Sequence, residues 1–517
     1  VAALGAEDYE GGDPNIFNMA VMGLRLGQRA NGVSKLHGAV SREMFRGLWA
    51  GFDAPAVPIT HITNGVHAPT WVAREIMDLA RREVGTSLVE EADAEGWEAI
   101  EKIPDRLIWE TRHTLRAALV LEARRRLRDA WRQRGASDAE LGWVDDVLSD
   151  DILTIGFARR VPSYKRLTLM LRDRERLTRL LLHPQRPVQL IVAGKAHPAD
   201  DGGKRLIQDL VRFSDDPAVR HRIVFLPDYD IAMAKPLYPG CDVWLNNPIR
   251  PLEASGTSGM KSALNGGLNL SILDGWWDEM YDGENGWAIP TADGVESDDR
   301  RDDLEAAALY DLIEHRVAPQ FYDRDDEDLP VRWLEMVRHT LQSLGPKVLA
   351  SRMLHDYVRE LYTPAAVSAR AVREGDRAQQ LAAWKNRVRA AWHDVRVEHV
   401  ESEGVDDVSP EVGAQVEVRA YVFLGDVSTD DVDVHVVHGR VDEDDKLLAP
   451  SVTSLTLAET YEAGRHRYEG SVELDRTGPF GYTVRVLPRN PLLSSGAELG
   501  LVALPQLPDP DLSATLR

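Results

Sequence analysis

The chain has 517 residues and a formal net charge of -23, from 61 Lys and Arg against 84 Asp and Glu. This acidity disfavours a long nucleic-acid groove or an anionic membrane surface as the default partner. No apolar run approaches the roughly 20 residues that span a bilayer, and the length predicts about three or four domains.

The cysteine content indicates the cellular compartment. Cys241 is the only cysteine, which excludes an internal disulfide framework and is typical of a reducing compartment, so we expect a cytoplasmic protein. The sequence starts at Val1 without the basic and apolar leader of a secreted protein. Because it opens on an already regular pattern, we expect a fragment of a longer protein.

Helical periodicity dominates residues 1–148. Residues 17–45 predict two packed helices with a break near Asn31 and Gly32. A short extended stretch covers residues 57–71, and charged amphipathic helices follow to about residue 145. We interpret residues 1–148 as the end of one domain.

Residues 149–330 predict a parallel β-sheet with crossover helices, because short β-rich runs alternate there with helical stretches. The runs are ILTIGFA (152–158), VQLIVAG (188–194), RIVFLP (222–227), VWLN (243–246) and LNLSIL (268–273). Ligands of such sheets bind beyond the carboxyl ends of the strands. Two acidic stretches, residues 295–305 and 322–330, predict solvated surface loops.

The last third of the chain changes pattern once more. Helices are predicted over residues 331–397, and apolar-polar alternation over residues 398–517 predicts an antiparallel β-sandwich. The segment RTGPFGYTVRV, residues 476–486, has the composition of a hairpin. The sequence therefore predicts an α/β protein with a C-terminal β-sandwich domain.

Four cations follow the first predicted strand of the sheet. The segment RRVPSYKR contains Arg159, Arg160, Lys165 and Arg166 and no acid. Guanidinium and ammonium groups beyond the carboxyl end of a strand can bind phosphate oxygens, which suggests an anion pocket. A solvated helix start explains the same residues, and this segment alone does not decide between the two.

The stretch EASGTSGMKSALNGG, residues 253–267, precedes the last predicted strand. Its small residues offer unobstructed backbone N–H groups at a helix start, a second anion-binding feature. The spacing of a P-loop fails because Met260 separates Gly259 from Lys261. An amine in such surroundings can form a Schiff base with a carbonyl cofactor, although an ordinary solvated lysine also fits. We assign no role to the nearby His197.

Taken together, these motifs resemble those of the glycogen and α-glucan phosphorylases. Residues 253–275 are similar to the cofactor-lysine segment of that family, and RRVPSYKR to its substrate-phosphate motif. NMAVMGLRLGQRANGVSKLHG (18–38) resembles the paired helices of the family, and TNGVHAPTW (63–71) a sugar-contacting loop. The matches run in the family's order from about residue 18 to residue 290.

The resemblance implies a site residue by residue. Lys261 would bind the cofactor pyridoxal 5'-phosphate, and no metal is implied. The remaining assignments are Thr257, Ser258, Tyr229 and Arg159 for the cofactor phosphate; Arg160 and Lys165 for the substrate phosphate; and Glu253, Ala254, Ser255, Gly256, Tyr164 and Asn64 for the glucosyl pocket. Glu253 is also the only attractive carboxylate at the site, so we include it with Lys261, Arg160 and Lys165 in the catalytic set.

The resemblance also implies a fold and a reaction. The fold is of the GT-B glycosyltransferase type, with two nucleotide-binding-like domains, and segments of the family's first half are missing here. The reaction is reversible phosphorolysis of α-1,4-glucan ends, of glycogen or maltodextrin, to glucose 1-phosphate, with the cofactor phosphate as the acid–base group. Asp230, in place of a cation, and the Trp276–Trp277 pair indicate the shorter bacterial branch. A homodimer is compatible with the family.

The sequence leaves three alternative functions, two enzymatic and one non-catalytic. A glycogen-synthase-like nucleotide-sugar glucosyltransferase would carry two glutamates eight positions apart, but the position eight after Glu253 is Lys261. A non-catalytic glucan-binding scaffold would not require the lysine and the phosphate-binding cations. A pyridoxal enzyme acting on amino acids would need an acid for the ring nitrogen and an arginine for the substrate carboxylate, which no local pattern clearly supplies.

Overall fold

The computed structural model describes residues 1–9, 11–85, 94–160, 163–404, 412–443 and 446–505. These residues form two compact units. The sheet unit comprises residues 32–37 and 61–357, and the sandwich unit comprises residues 1–31, 38–60 and the chain from Val358 onward. The four-segment division expected from the sequence stays a prediction.

The described strands fall into a short pair and two larger sheets. They are β1 (Ala30–Gly32), β2 (Ile59–His61), β3 (Leu153–Arg160), β4 (Val188–Lys195), β5 (Ile223–Pro227), β6 (Val243–Asn246), β7 (Leu268–Ile272), β8 (Gly286–Ile289), β9 (Arg396–Glu403), β10 (Gln415–Phe423), β11 (Val432–Val441), β12 (Leu447–Thr460), β13 (Arg465–Glu473) and β14 (Phe480–Pro488).

The described α-helices occupy much of the remaining chain. They are α1 (Ala2–Gly5), α2 (Met19–Leu26), α3 (Lys35–Met44), α4 (Ala68–Trp71), α5 (Arg74–Glu83), α6 (Ala94–Glu98), α7 (Asp105–Gln133), α8 (Arg174–Leu181), α9 (Asp201–Ser214), α10 (Ile231–Gly240), α11 (Thr257–Ala263), α12 (Trp277–Met280), α13 (Asp298–Leu312), α14 (Ala318–Tyr322), α15 (Val331–Leu344), α16 (Ala350–Asp356), α17 (Thr363–Arg373) and α18 (Arg377–Ala391).

The sheet unit is built on a six-stranded parallel sheet in the order β5-β4-β3-β6-β7-β8. The central strand β3 has neighbours on both sides, and its Ile155 pairs with Leu190 on β4 and Val243 on β6. Strand order reverses between β3 and β6, the position where open α/β sheets bind their ligands. The five predicted strands are confirmed, whereas β8 was not predicted.

Alternate residues of the sheet enter two different cores. Leu190 and Val192 of β4 lie in one core, whereas Ile191 and Ala193 lie in the other. Successive side chains of a strand point to opposite faces, so both faces of this sheet are covered. This double burial explains why the strands read as continuous apolar runs.

Aspartates fix the starts of three helices that follow strands of this sheet. Asp173 accepts a hydrogen bond from Arg176 N before α8, Asp200 from Gly203 N before α9, and Asp230 from Met233 N before α10. A side-chain acceptor at this position satisfies an otherwise unpaired backbone donor. Asp230 therefore has a structural role at the start of α10.

The two acidic stretches that were predicted to be surface loops differ in secondary structure. Residues 322–330 contain the predicted loop between α14 and α15. The loop prediction for residues 295–305 is wrong, because α13 begins at Asp298 and Ser297 caps it. Glu305 is buried and pairs with Arg166 and Arg301. An acid-rich run at the first turn is favourable to a helix, and Arg166 and Arg301 neutralise its inner carboxylate.

The sandwich unit contains the predicted antiparallel architecture. Its strand order is β14-β11-β12-β13-β10-β9. Residues 447–455 of β12 pair with β11, and residues 456–460 pair with β13, so this long strand joins the two layers. Trp384, Val388 and Trp392 of α18 and the turn after it pack into the sandwich core. The alternating runs at residues 415–423, 431–437 and 468–475 predict β10, β11 and β13, whereas no run predicts β9 or β12.

The hairpin predicted over residues 476–486 is wrong. Strands β13 and β14 flank this turn, but β13 pairs with β10 and β12, whereas β14 pairs with β11. The turn therefore connects the two layers of the sandwich.

Among the described helices, none has the combination of length and apolar character that a bilayer-spanning segment requires. The longest of them, α7, has 29 residues and carries many charged side chains.

A buried ion cluster supports the sheet next to β6. Asp242 accepts a 2.6 Å bond from Arg116 Nη1 and a 2.9 Å bond from Thr154 N, and Arg112 Nη2 lies 3.6 Å away. All three charged side chains are buried. Removal of one member of such a cluster leaves an uncompensated charge in the interior.

We expect Asp242→Ala to lower the free energy of unfolding by about 3–5 kcal/mol, because Arg112 and Arg116 would lose their carboxylate. Urea unfolding followed by circular dichroism measures the change. Asp145→Ala is the control, since Asp145 pairs with Arg128 at the surface and its loss should cost below about 1 kcal/mol. Equal losses in the two variants would contradict this account of the cluster.

Candidate active site

A cleft of about 680 Å³ opens beyond the carboxyl ends of β3, β4 and β5. Its position matches the ligand crevice of open parallel sheets. Its lining residues come from five segments of the sheet unit: Ala158, Arg159, Tyr164, Lys165, Lys195, Ala196, His197, Pro198, Asp200, Tyr229, Tyr238, Glu253, Gly256, Thr257, Ser258 and Lys261.

Two cations meet on one buried carboxylate in this cleft. Glu253 Oε2 accepts a 2.7 Å bond from Arg159 Nη1, and Glu253 Oε1 accepts a 3.3 Å bond from Lys165 Nζ. Arg159 and Glu253 are only 6% and 7% exposed. Burial alone would raise the pKa of Glu253, but Arg159 and Lys165 outweigh it and hold that pKa below its usual value. Glu253 is therefore ionised at neutral pH.

One donor of this cluster is unused. The Nη2 atom of Arg159 is buried and has no hydrogen-bond partner among the described residues. A buried guanidinium N–H without an acceptor is costly. An anion in the cleft would supply the missing acceptor.

The loop that carries Glu253 is clamped against the turn after β7. Glu253 N donates to Asp274 Oδ2 at 3.0 Å, and Trp276 N donates to Ser255 O at 2.9 Å. Gly275 has φ +57°, and a Cβ there would lie 2.4 Å from Ser255 O. Only glycine allows this approach, which fixes the position of the Glu253 main chain.

Lys261 lies on α11 and points at aromatic rings. Its Nζ is 4.1 Å from the ring centre of Trp71 and 5.3 Å from that of Tyr238. Within the described residues, its amine has no ion pair or hydrogen bond. Burial lowers the pKa of Lys261. The lysine is thus a half-buried amine beside a cleft, and the interpretation of it as an ordinary solvated lysine is wrong.

Two tyrosines line the cleft next to this amine. The hydroxyls of Tyr229 and Tyr238 are 2.6 Å apart, and Tyr238 is buried. Burial raises the pKa of both phenols. They are neutral hydrogen-bonding groups at the rim formed by β5 and α10.

The structure locates the other predicted residues as follows. Thr257 and Ser258 begin α11, whose cap residue Gly256 has φ 83° and offers no side-chain cap. Tyr164 lines the cleft beneath Lys165 Nζ, 5.3 Å from its ring centre. The structure describes the backbone of Arg160 at the end of β3, but its side chain lies outside the described part.

Three predicted residues are absent from the cleft lining. Asn64 O accepts from Arg352 Nη2, and Ala254 O accepts from Ser34 Oγ at 2.7 Å. Ser255 Oγ is buried and has no hydrogen-bond partner among the described residues. The Ser34 contact joins the segment after β1 to the loop that carries Glu253.

The expectation that Arg166 belongs to the cationic pocket is wrong. Arg166 is buried and bonds Asp302 at 3.0 Å and Glu305 at 2.6 Å. Its φ of 47° is in the left-handed region, so the backbone changes direction at Arg166 and its side chain points away from the cleft. The acids that bind it lie on α13, far along the sequence.

Three site residues were missed by the sequence analysis. Trp71 and Tyr238 surround Lys261, and Asp274 is buried behind Glu253. Burial raises the pKa of Asp274 to about 6. Trp71 ends the motif at residues 63–71, and Asp274 directly follows the last predicted strand, residues 268–273, so proximity to these motifs was the available signal for both.

Comparison with known proteins decides the family. The profile of carbohydrate phosphorylases matches residues 9–284. The chain belongs to the carbohydrate phosphorylase family. A second profile, the glycogen phosphorylase C-terminal domain, matches residues 392–506 and covers the sandwich. The predicted family and the GT-B type fold class are confirmed.

Relatives in this family are considerably longer than the chain. Glycogen phosphorylase of Mycobacterium tuberculosis is 57% identical over 506 residues, which cover 98% of this chain and 58% of the relative. Maltodextrin phosphorylase of Thermococcus litoralis is 36% identical over 94% of this chain and 57% of its own length. Glycogen phosphorylase of Aquifex aeolicus is 43% identical over 67% of this chain and 49% of its own length.

We expect Lys261 to react with an amine reagent such as acetic anhydride at a lower pH than an ordinary lysine, because burial favours its neutral form. Labelling at a series of pH values, followed by peptide mass spectrometry, gives the midpoint. The exposed Lys204 is an internal reference in the same samples. Coincident labelling curves for the two lysines would contradict the burial argument.

Proposed function

We propose that the protein to which this chain belongs is an α-1,4-glucan phosphorylase, which cleaves glycogen or maltodextrin ends with inorganic phosphate and releases glucose 1-phosphate. The observation that supports it best is the cleft in which Arg159 and Lys165 converge on one buried carboxylate, Glu253, and which Lys261 also lines. Because the chain spans less than two thirds of the length of its relatives, the reaction is assigned to the longer protein.

We propose pyridoxal 5'-phosphate as the cofactor, held by Lys261. The residues present fit it: a half-buried amine without an acidic partner among the described residues, and an unpaired Arg159 Nη2. Thr257, Ser258 and Tyr229 are the further candidates for its phosphate. When bound, the cofactor supplies a phosphate group that can donate and accept a proton next to the substrate phosphate.

The chain's own contribution is charge and position. Two phosphate groups held close together repel, since unit charges 4 Å apart interact by about 4 kcal/mol at an effective dielectric of 20. Arg159 and Lys165 offset this repulsion, and Arg160 is proposed as a further contact to the substrate phosphate. A fixed arrangement of such groups lowers the cost of gathering charge in the transition state.

Glu253 is proposed as an ionised contact to the glucosyl unit and to the two cations, not as the proton donor. Its low pKa leaves no proton to give near neutral pH. A glycosidase would need a pair of carboxylic groups, one of them protonated. Tyr164, Asn64, Ala254, Ser255 and Gly256 remain predicted parts of the glucosyl pocket. A cytoplasmic location and a homodimer also remain predictions.

The reaction is tested by glucose 1-phosphate formation from maltodextrin and inorganic phosphate, measured on this chain and on the longer natural chain. We expect product from the longer chain. Glucosyl transfer from a nucleotide sugar, without any phosphate-dependent product, would overturn the proposal in favour of a glycogen-synthase-like enzyme.

We expect borohydride reduction of cofactor-loaded protein to fix the pyridoxyl group on Lys261, because burial lowers the pKa of its amine and favours the neutral, nucleophilic form. Peptide mass mapping locates the label. Lys261→Ala should remove it, and Lys195→Ala, which changes an exposed lysine of the same cleft, should keep it. A label on another lysine would count against the cofactor assignment.

Lys165→Ala should raise the KM for phosphate about tenfold or more while the cofactor stays bound, since a charge-assisted contact is lost. Initial rates at varied phosphate give the KM, and cofactor absorbance reports loading. Lys195→Ala is the matched control and should change the KM by below about threefold, because Lys195 is exposed and lies 3.9 Å from Asp228. An unchanged phosphate KM in Lys165→Ala would remove Lys165 from the phosphate site.

A further inference from the structure

Asp274 is a buried carboxyl group that the proposed reaction does not use. It is 0% exposed, and its two oxygens accept from Glu253 N at 3.0 Å and from Gly275 N at 2.8 Å. No basic side chain within the described residues forms an ion pair with it. A buried carboxylate with only backbone donors is poorly compensated, and protonation relieves that cost.

Two of the ionisable groups around Asp274, Glu253 and Tyr164, line the cleft. In the loop after β6, the charge of Glu253 raises the pKa of Asp274 and that of Arg250 lowers it. The charge of Asp274 in turn helps to raise the pKa of Tyr164 in the segment after β3. Glu253 in turn bonds Arg159 and Lys165. With both carboxylates ionised, Glu253 and Asp274 offset the charges of Arg159 and Lys165, while Lys195, Lys261 and Asp200 also line the cleft. Ionised Asp274, behind Glu253, therefore weakens the Coulomb attraction of the pocket for an incoming oxyanion.

We propose that Asp274 takes up a proton from water when an oxyanion binds in the cleft, and so determines the charge with which the pocket receives phosphate. The proton forms an O–H bond at a carboxylate oxygen, and no bond of the anion breaks. A protonated carboxyl group gains one O–H donor and keeps acceptor capacity, so the two backbone N–H groups retain their acceptors. This inference rests on the proposed function, because phosphate is the anion concerned.

The sign of the effect follows from linkage. An anion placed near a carboxylate destabilises its ionised form and raises its pKa. The pKa of free Asp274, about 6, places this change close to neutral pH. Anion affinity must therefore increase as the pH falls through this range. A residue that only holds the loop in place would produce no such pH dependence.

The test uses sulfate, whose charge is constant over the range, and the cofactor-loaded full natural chain. Isothermal titration calorimetry at about pH 7.5 and pH 5.5 gives the sulfate affinity. A rise of one unit in the pKa of Asp274 predicts about sixfold tighter binding at the lower pH in the parent. The side chain introduced by Asp274→Asn would be neutral at both pH values. We therefore expect the Asp274→Asn variant to lack the roughly sixfold increase in sulfate affinity that Asp274 contributes in the parent.

The other ionisable groups of the loaded cleft are common to the parent and to Asp274→Asn. Asp173→Asn is the matched control, because Asp173 accepts a backbone N–H at a helix start outside the cleft. If Asp274→Asn does not fold, Asp274→Thr provides a neutral acceptor instead. Calorimetry in buffers of different ionisation enthalpy should also show that the parent takes up about half a proton more per sulfate near pH 6.5 than Asp274→Asn does.

Equal pH dependence of sulfate affinity in the parent and in Asp274→Asn would overturn the inference. Glucose 1-phosphate formation by the parent is measured separately. If the parent forms no product but the sulfate difference is present, the reaction assignment fails while the proton coupling stands. If the parent is active and the sulfate curves coincide, only the role of Asp274 fails.

Discussion

The two bonds that Arg159 and Lys165 make to Glu253 are the interaction on which the site depends. A buried guanidinium and an ammonium would repel each other and resist burial without this carboxylate. The Glu253 carboxylate can bind both cations because its own backbone is fixed in position. Glu253 N donates to Asp274 Oδ2, and Gly275 packs closely against Ser255 O. Charge and backbone geometry are thus set by one small contact between two loops.

The parallel sheet could be predicted because its strands are buried on both faces. Residues such as Leu190 and Ile191 are apolar alike, and a continuous apolar run is a strong local signal. Strand β8, with the sequence GWAI, starts with a glycine and has only one β-branched residue, and β9 and β12 expose most of their polar side chains, so they lacked that signal. The false hairpin has another cause: turn composition reports a reversal of the chain, not which strand lies beside it.

Most of the candidate site came from resemblance and was located by motifs at the strand ends. The residues that were missed, or misplaced, depend on contacts distant in sequence. Trp71 contacts Lys261 although the two residues are 190 positions apart in sequence. Arg166 pairs with acidic residues of α13, a segment that the sequence predicted to be a solvated surface loop. A run of cations in sequence does not reveal which of them is neutralised elsewhere. The local sequence does not indicate that Asp274 is buried either, since an Asp-Gly pair is typical of a surface turn.

Strand β12 has a mechanical consequence for the C-terminal region. One continuous piece of backbone is hydrogen-bonded to β11 over its first part and to β13 over its second. Loosening either layer therefore pulls on the ladder of the other, and the barrier to partial opening is shared between them. The region should melt as a single cooperative block, without a half-open species that exposes a row of unpaired amides to neighbouring chains.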